Sequence, residues 1–159
     1  MMQPIVFKIL LFAGPDDRKR SQTSILWLLE ALCKIDQGHL ATHNYPPLYK
    51  AGVRYQREEG TEDWLDIPSI IAAGWGDCED LACWRVAELR QQGIKASPYA
   101  KWRRINGVYH YHAMVKRFEG DKPVLEDPSR KLGMGSKEDV SHQRRLLAAA
   151  KEKEAHEAP

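Results

Sequence analysis

The sequence predicts a single α+β domain, in which a helix that begins with a cysteine packs on an antiparallel sheet. Residues 81–92 have an apolar, helix-favouring pattern that follows a glycine-rich turn and stops at Gly93. Beyond Gly93 the pattern becomes extended, and Asn106-Gly107 is a strong signal for a two-residue hairpin. A chain of 159 residues is long enough to bury the core of one such domain.

Composition and charge indicate an ordinary globular protein. Charged residues make up 29% of the chain, hydrophobic residues 43%, and the formal net charge is +2. Three cysteines without paired spacing argue against a disulfide framework and for a reducing compartment, so we expect a cytoplasmic location. The apolar run at 5–13 is interrupted by Lys8 and is too short to span a membrane. We expect neither a nucleic-acid nor a membrane partner.

The first half of the chain predicts a strand and two helices. The strand covers residues 5–12, an amphipathic helix covers 22–36, and a short helix with Pro68 in its first turn covers 64–73. Residues 39–50 are predicted as an irregular loop and 53–56 as a short extended piece. His39 and His43 have a spacing that can hold a metal on a helix, but the nearby prolines and the lack of a third ligand predict no metal site.

The second half predicts an antiparallel meander and a separate C-terminal segment. Strands are expected at 95–105, 108–118 and 123–126, with turns at Asn106-Gly107 and Gly120-Asp121. Residues 136–159 are rich in charged residues and alanine and poor in large apolar ones. We interpret them as a helical tail that is either solvated or used by a protein partner, and residues 1–135 as the functional domain.

Cys78 is the first candidate functional residue. Asp77 is placed as the N-cap of the helix and Asp80 as its capping-box partner, which puts Cys78 in the first turn. Free backbone N–H groups and the positive end of the helix dipole favour a thiolate there. The alternative is that Cys78 is a buried core cysteine, as we expect for Cys33 and Cys83.

A cysteine nucleophile needs a base, and two histidines on one strand face are candidates. His110 and His112 alternate with the tyrosines of the same strand, so they share a face. Counting outward from the turn near position 120 places Asp127 opposite His112 to within a residue, and Ser129 opposite His110. This count favours His112 as base, oriented by Asp127.

Three motifs together resemble the transglutaminase-like (papain-like) superfamily of cysteine peptidases, in a small bacterial or bacteriophage form. They are Gly-Asp-Cys-Glu-Asp-Leu-Ala at Cys78, Tyr-His-Ala-Met-Val-Lys at His112 and Val-Leu-Glu-Asp-Pro-Ser at Asp127, within a matching core of about 55–132. The resemblance implies a papain-like fold without a cofactor, with Cys78 as nucleophile, His112 as base and Asp127 as orienting carboxylate. Met114 departs from the pattern, because an aromatic residue often stands there.

Further site residues and the reaction are less determined. Gln56 and Tyr55 are both candidates for the second oxyanion donor, Trp75 for a wall of the pocket, and His110 for a neighbour of the base. We expect a hydrolase that cleaves an amide or isopeptide bond of a protein or peptide through a thioester. The alternatives are a transamidase on the same residues, and a non-catalytic structural or binding component such as a part of a phage particle. If the chain is phage-encoded, it would be virion-associated.

Overall fold

The protein is described by a computed structural model that covers residues 18–58, 63–105 and 108–157. The predicted strand at 5–12 lies outside these residues. The described elements are the helices and strands α1 (Arg18–Thr42), β1 (Arg54–Tyr55), α2 (Ile67–Ala73), β2 (Trp75–Gly76), α3 (Cys78–Gln91), β3 (Ala96–Ile105), β4 (Val108–Glu119), β5 (Lys122–Glu126), α4 (Pro128–Lys131) and α5 (Lys137–Glu157), and a 3-10 turn at Leu48–Lys50.

Helix α3 lies at the centre of the molecule and separates two apolar clusters. Ala82 and Val86 face the first cluster, which joins α1 to the sheet through residues such as Leu29 and Val115. Trp84 faces the second, which is built on α2 and the segment around the 3-10 turn. A helix that is apolar on both sides is a buried helix. The element that carries Cys78 is therefore held by the core on both faces.

The three long strands form an antiparallel sheet in the order β3-β4-β5, and the α+β fold class is as predicted. Ile105 pairs with Val108, so a two-residue connection joins β3 to β4 as the Asn106-Gly107 signal predicts, although those two residues lie outside the described part of the chain. Glu119 pairs with Lys122 across the next turn, where Gly120 has a φ of +61°.

Helix α1 is longer than the predicted helix at 22–36 and continues through Gly38 to Thr42. The loop predicted at 39–50 therefore begins too early. Two tertiary contacts stabilise the extra turns: Asp36 accepts a hydrogen bond from the backbone N–H of Ile67 at 3.0 Å, and His39 Nε2 lies 2.9 Å from Asp66. These contacts offset the roughly 1 kcal/mol that a glycine costs inside a helix.

Trp75-Gly76, predicted as part of a turn, instead forms a short strand. β2 pairs in parallel with β1, and the backbone N–H of Gln56 donates to the Gly76 carbonyl at 3.0 Å. A Cβ atom on Gly76 would lie only 3.1 Å from Cβ of Asp80, a tight contact, so glycine favours the close approach of this strand to α3. β1 is thereby anchored two residues before Cys78.

Helix α5 follows the domain as the C-terminal element and keeps little apolar surface buried. Val140 and Leu147 remain 39% and 65% exposed. Within the described ranges, no helix has both the length and the hydropathy needed to cross a bilayer.

Candidate functional site

Cys78 is the first residue of α3, and buried hydrogen bonds hold the turn that presents it. Oδ2 of Asp80 accepts from the backbone N–H of Asp77 at 3.1 Å, and Oδ1 accepts from the backbone N–H of Leu65 at 2.8 Å. Asp80 is completely buried. The predicted capping box is present, and it also ties the helix terminus to the segment before α2.

His112 and Asp127 are in contact: His112 Nε2 lies 2.9 Å from Asp127 Oδ2. The count that led to this pair was nevertheless off by two residues. Val115 pairs with Glu126, so continuing the register places Asp127 opposite Met114. β5 ends at Glu126 and Asp127 caps α4, so its side chain reaches diagonally to His112.

An ion-pair cluster fixes the residue that precedes Asp127. Glu126 is buried, and it accepts hydrogen bonds from Tyr49 at 2.5 Å and from Arg85 Nε at 2.8 Å. Lys131 and Arg117 lie 3.4 Å and 3.1 Å from the same carboxylate. The cluster joins α3, β4, β5 and α4, so the end of β5 is held at a constant position relative to α3.

The Cys78 thiol contacts Glu79 at its side chain. Cys78 Sγ donates to Glu79 Oε2 at 3.0 Å, and the Tyr111 hydroxyl donates to Glu79 Oε1, also at 3.0 Å. Glu79 is only 1% exposed, so its carboxylate forms a buried bridge between α3 and β4.

Burial raises the pKa of the Cys78 thiol, and the negative charge of Glu79 raises it further. A hydrogen bond from the backbone N–H of Ala113, the residue after His112, lowers the pKa of the thiol. The expected preference for a thiolate at the helix terminus is therefore wrong for this resting state. The helix macrodipole contributes about 0.3–1 kcal/mol, which burial and the Glu79 carboxylate exceed.

Acidic side chains are concentrated around this turn. Burial, with Glu79 and Asp80 nearby, raises the pKa of Asp77 to about 11, so this carboxyl group stays protonated at neutral pH. Within the described part of the chain, Asp77 Oδ1 is buried without a hydrogen-bond partner. Single ligand atoms of Asp77, Cys78 and Glu79 lie within 4.8 Å of one another, close enough to hold a cation.

The other predicted residues occupy different surroundings. The backbone N–H of Tyr55 donates to the Leu132 carbonyl at 2.8 Å and that of Gln56 to the Gly76 carbonyl at 3.0 Å, so neither backbone N–H is free to serve as an oxyanion donor. The side-chain oxygen Oε1 of Gln56 accepts a hydrogen bond from Arg54 at 2.9 Å. This bond does not use the side-chain amide nitrogen of Gln56. His110 is exposed, and Trp75 is partly buried in β2.

Two functional neighbours were missed by sequence reasoning. Glu79 stands directly after the predicted nucleophile, and that position was the signal that its carboxylate could reach the thiol. The sequence places Tyr111 on one face of a strand, but only the tertiary structure shows that this residue contacts Glu79 on α3. Cys83 and Cys33 are core residues as expected; Cys83 Sγ donates to the Leu29 carbonyl at 3.3 Å.

Comparisons with known proteins find little. No family model matches the chain, and no curated protein matches it. Among solved structures, it is similar to the crystal structure of "a Putative Cysteine Protease from Cytophaga hutchinsonii", at 17% identity and a TM-score of 0.42. The match covers 68% of this chain and 40% of that chain, so it spans less than half of the other protein's length.

Proposed function

We propose that this chain is a transglutaminase-like cysteine hydrolase that cleaves an amide or isopeptide bond of a protein or peptide. The observation that carries the proposal is the 2.9 Å contact between His112 Nε2 and Asp127 Oδ2. His112 lies on β4, directly before Ala113. The Ala113 backbone N–H in turn donates a hydrogen bond to the Cys78 sulfur, which lowers the pKa of the thiol. Nucleophile and base therefore occupy neighbouring positions on α3 and β4.

The contact with Asp127 determines the tautomer of the base. A carboxylate only accepts hydrogen bonds, so Nε2 of His112 carries a proton and Nδ1 is left with a lone pair. The first step transfers the thiol proton of Cys78 from its contact with Glu79 to Nδ1 of His112. Asp127 stabilises the imidazolium that results.

The reaction then proceeds as an acyl transfer. Cys78 sulfur attacks the carbonyl carbon, the C–N bond breaks, and His112 gives its proton to the leaving amine. Water next adds to the thioester carbonyl and passes a proton to His112. The C–S bond breaks, the acid leaves, and the proton returns to sulfur. The Cys78 backbone N–H and the Gln56 side-chain amide are the proposed oxyanion donors.

The contact between Cys78 and Glu79 favours a second candidate function, a non-catalytic binding component. A thiol whose proton is held by a buried carboxylate is a poor nucleophile.

Transamidation on the same residues needs an amine in place of water in the second step. p-Nitrophenyl acetate separates the three functions, because a catalytic thiol forms an acetyl thioester, which passes to water in a hydrolase or to an added amine in a transamidase.

A thiol titration tests the role of His112 without knowledge of the substrate. We expect His112→Ala to raise the pH at which iodoacetamide modifies Cys78 by at least about one unit, because the imidazolium no longer supports the thiolate. Asp127→Asn should have an intermediate effect. Cys33 and Cys83 are completely buried and should not react in the folded protein.

The matched control is His110→Ala, which removes an exposed histidine from the same strand. It should leave the titration of Cys78 unchanged. The proposal fails if His110→Ala produces the larger shift, or if neither histidine affects the thiol.

A further inference from the structure

A cavity of about 380 Å³ lies between β1 and the first turns of α5. Its size is in the range of small-ligand sites and would admit an amino-acid side chain with adjoining backbone. The residues that line it are Arg54, Tyr55, Gln56, Leu132, Gly133, Ser136, Glu138, Asp139, His142 and Arg145. None of them belongs to the Cys78–His112–Asp127 group.

The cavity is connected to the turn that bears Cys78 through β1. Gln56 lines it, and the Gln56 backbone N–H is bonded to Gly76, two residues before Cys78. Tyr55 also lines it; burial raises the pKa of its phenol, the charge of Arg57 opposes this rise, and the charge of Asp139 adds a little to it. A chain segment bound in the cavity would therefore lie beside the proposed oxyanion donor.

The cavity wall carries two arginines, Arg54 and Arg145, and two acidic residues, Glu138 and Asp139. Arg54 donates to the neutral amide oxygen of Gln56, and in the described ranges neither Arg54 nor Arg145 forms an ion pair. The Asp139 carboxylate is buried and already accepts from Gly135 N–H at 2.6 Å and from Gln143 at 3.0 Å. Glu138 remains as the exposed acid at this wall.

We propose that this cavity binds a carboxylate of the peptide substrate through the guanidinium groups of Arg54 and Arg145. The proposal rests on the proposed function for its biological meaning, since it names the chemistry by which that site selects a substrate. Guanidinium groups form strong, directional hydrogen bonds with carboxylates. The carboxylate belongs either to an acidic side chain or to the C-terminus of a peptide.

Three small probes distinguish these sources by NMR titration of the ¹⁵N-labelled protein. N-acetyl-glutamic acid α-amide carries only a side-chain carboxylate, N-acetyl-glutamine only an α-carboxylate, and N-acetyl-glutaminamide neither. We expect a carboxylate probe to shift the amide signals of Gln56, Gly133 and Ser136, and the neutral probe to leave them in place.

Variants test the two arginines. Arg54→Gln and Arg145→Gln should each weaken carboxylate binding about tenfold, the effect of losing one charge-assisted hydrogen bond. Arg144→Gln is the matched control, because Arg144 is the exposed neighbour of Arg145 and does not line the cavity. The spectrum without a probe shows whether each variant is folded.

The outcomes separate this proposal from the proposed function. Binding should persist in Cys78→Ala, which removes the nucleophile and leaves the cavity intact. Equal shifts with the neutral probe, or binding that neither arginine variant weakens, would overturn the proposal whether or not Cys78 is catalytic.

Discussion

At the scale of single residues, the contact between Cys78 and Glu79 determines the resting state of the thiol. Glu79 is nearly completely buried and accepts from the thiol and from the Tyr111 hydroxyl. A buried carboxylate next to a thiol opposes its ionisation more strongly than one in water, because the charges are poorly screened. Glu79 thus keeps the sulfur protonated until the proton is accepted by another group.

Glu79→Gln should therefore activate Cys78. The change removes the negative charge and keeps an oxygen that can accept from Tyr111. We expect the pKa of Cys78 to fall and its modification by iodoacetamide at neutral pH to accelerate about tenfold, the change for one pKa unit. The rate is measured against pH, by mass spectrometry of the Cys78 peptide.

Glu119→Gln is the control for a general loss of negative charge, since Glu119 is exposed at the end of β4. It should leave the rate unchanged. A slower reaction in Glu79→Gln would mean that Glu79 promotes ionisation, which is the opposite of the effect derived from the geometry.

At the scale of elements, α5 is attached to the domain through its first turns. The Asp139 carboxylate accepts from the backbone N–H of Gly135 and from Gln143, and His142 Nε2 lies 3.4 Å from the Arg57 carbonyl. Further along, Leu147 is exposed and the helix buries little apolar area. The contacts of Asp139, His142 and Gln143 therefore attach the first turns of α5.

A truncation after Gln143 should leave the melting temperature nearly unchanged, because it retains these contacts. A truncation after Ser136 removes Asp139 and should lower the melting temperature by about 2–4 °C for each kcal/mol lost. Thermal unfolding followed by circular dichroism measures both. A fall of several degrees in the longer form would show that Leu146 or Leu147 packs on the domain.

At the scale of the whole molecule, Asp36 links α1 to α2 across the interior. It is completely buried, and its Oδ1 accepts from the Ile67 backbone N–H while Oδ2 has no partner among the described residues. Burial raises its pKa to about 8, the Ile67 hydrogen bond opposes this rise, and the charge of Asp66 adds to it. The folded protein therefore keeps a proton at neutral pH that the unfolded chain loses.

This difference gives a pH dependence of stability with a definite sign. The folded pKa exceeds the ordinary value of 3.8, so the contribution of Asp36 is fully present below about pH 4 and is lost as the pH rises to about 8. Asp36→Asn does not titrate. Its stability relative to the wild type should rise over that interval by up to about 1.4 kcal/mol per pH unit.

Urea unfolding at several pH values measures this difference, and Asp121→Asn, at an exposed turn, is the control. A difference between Asp36→Asn and the wild type that stays constant from pH 4 to 8 would show that Asp36 is ionised in the folded state throughout.

Local sequence determined the elements that carry the candidate site. The α3 helix, its Asp77–Asp80 cap, the strands of the meander and the pairing of His112 with Asp127 all depend on contacts between residues close in the chain. Such contacts follow periodicity, capping and turn rules. Even the two-residue error in the count left the same pair within diagonal reach.

Tertiary structure alone decided how these elements surround the thiol. The extra turns of α1, the β1–β2 pair, the Tyr111–Glu79 contact and the Glu126 cluster join segments distant in sequence. The protonation of Cys78 depends on burial and on which charges lie beside it, and neither is visible in a local pattern. The sequence alone therefore predicted the position of Cys78 at the start of α3, whereas packing determined the protonation state of its thiol.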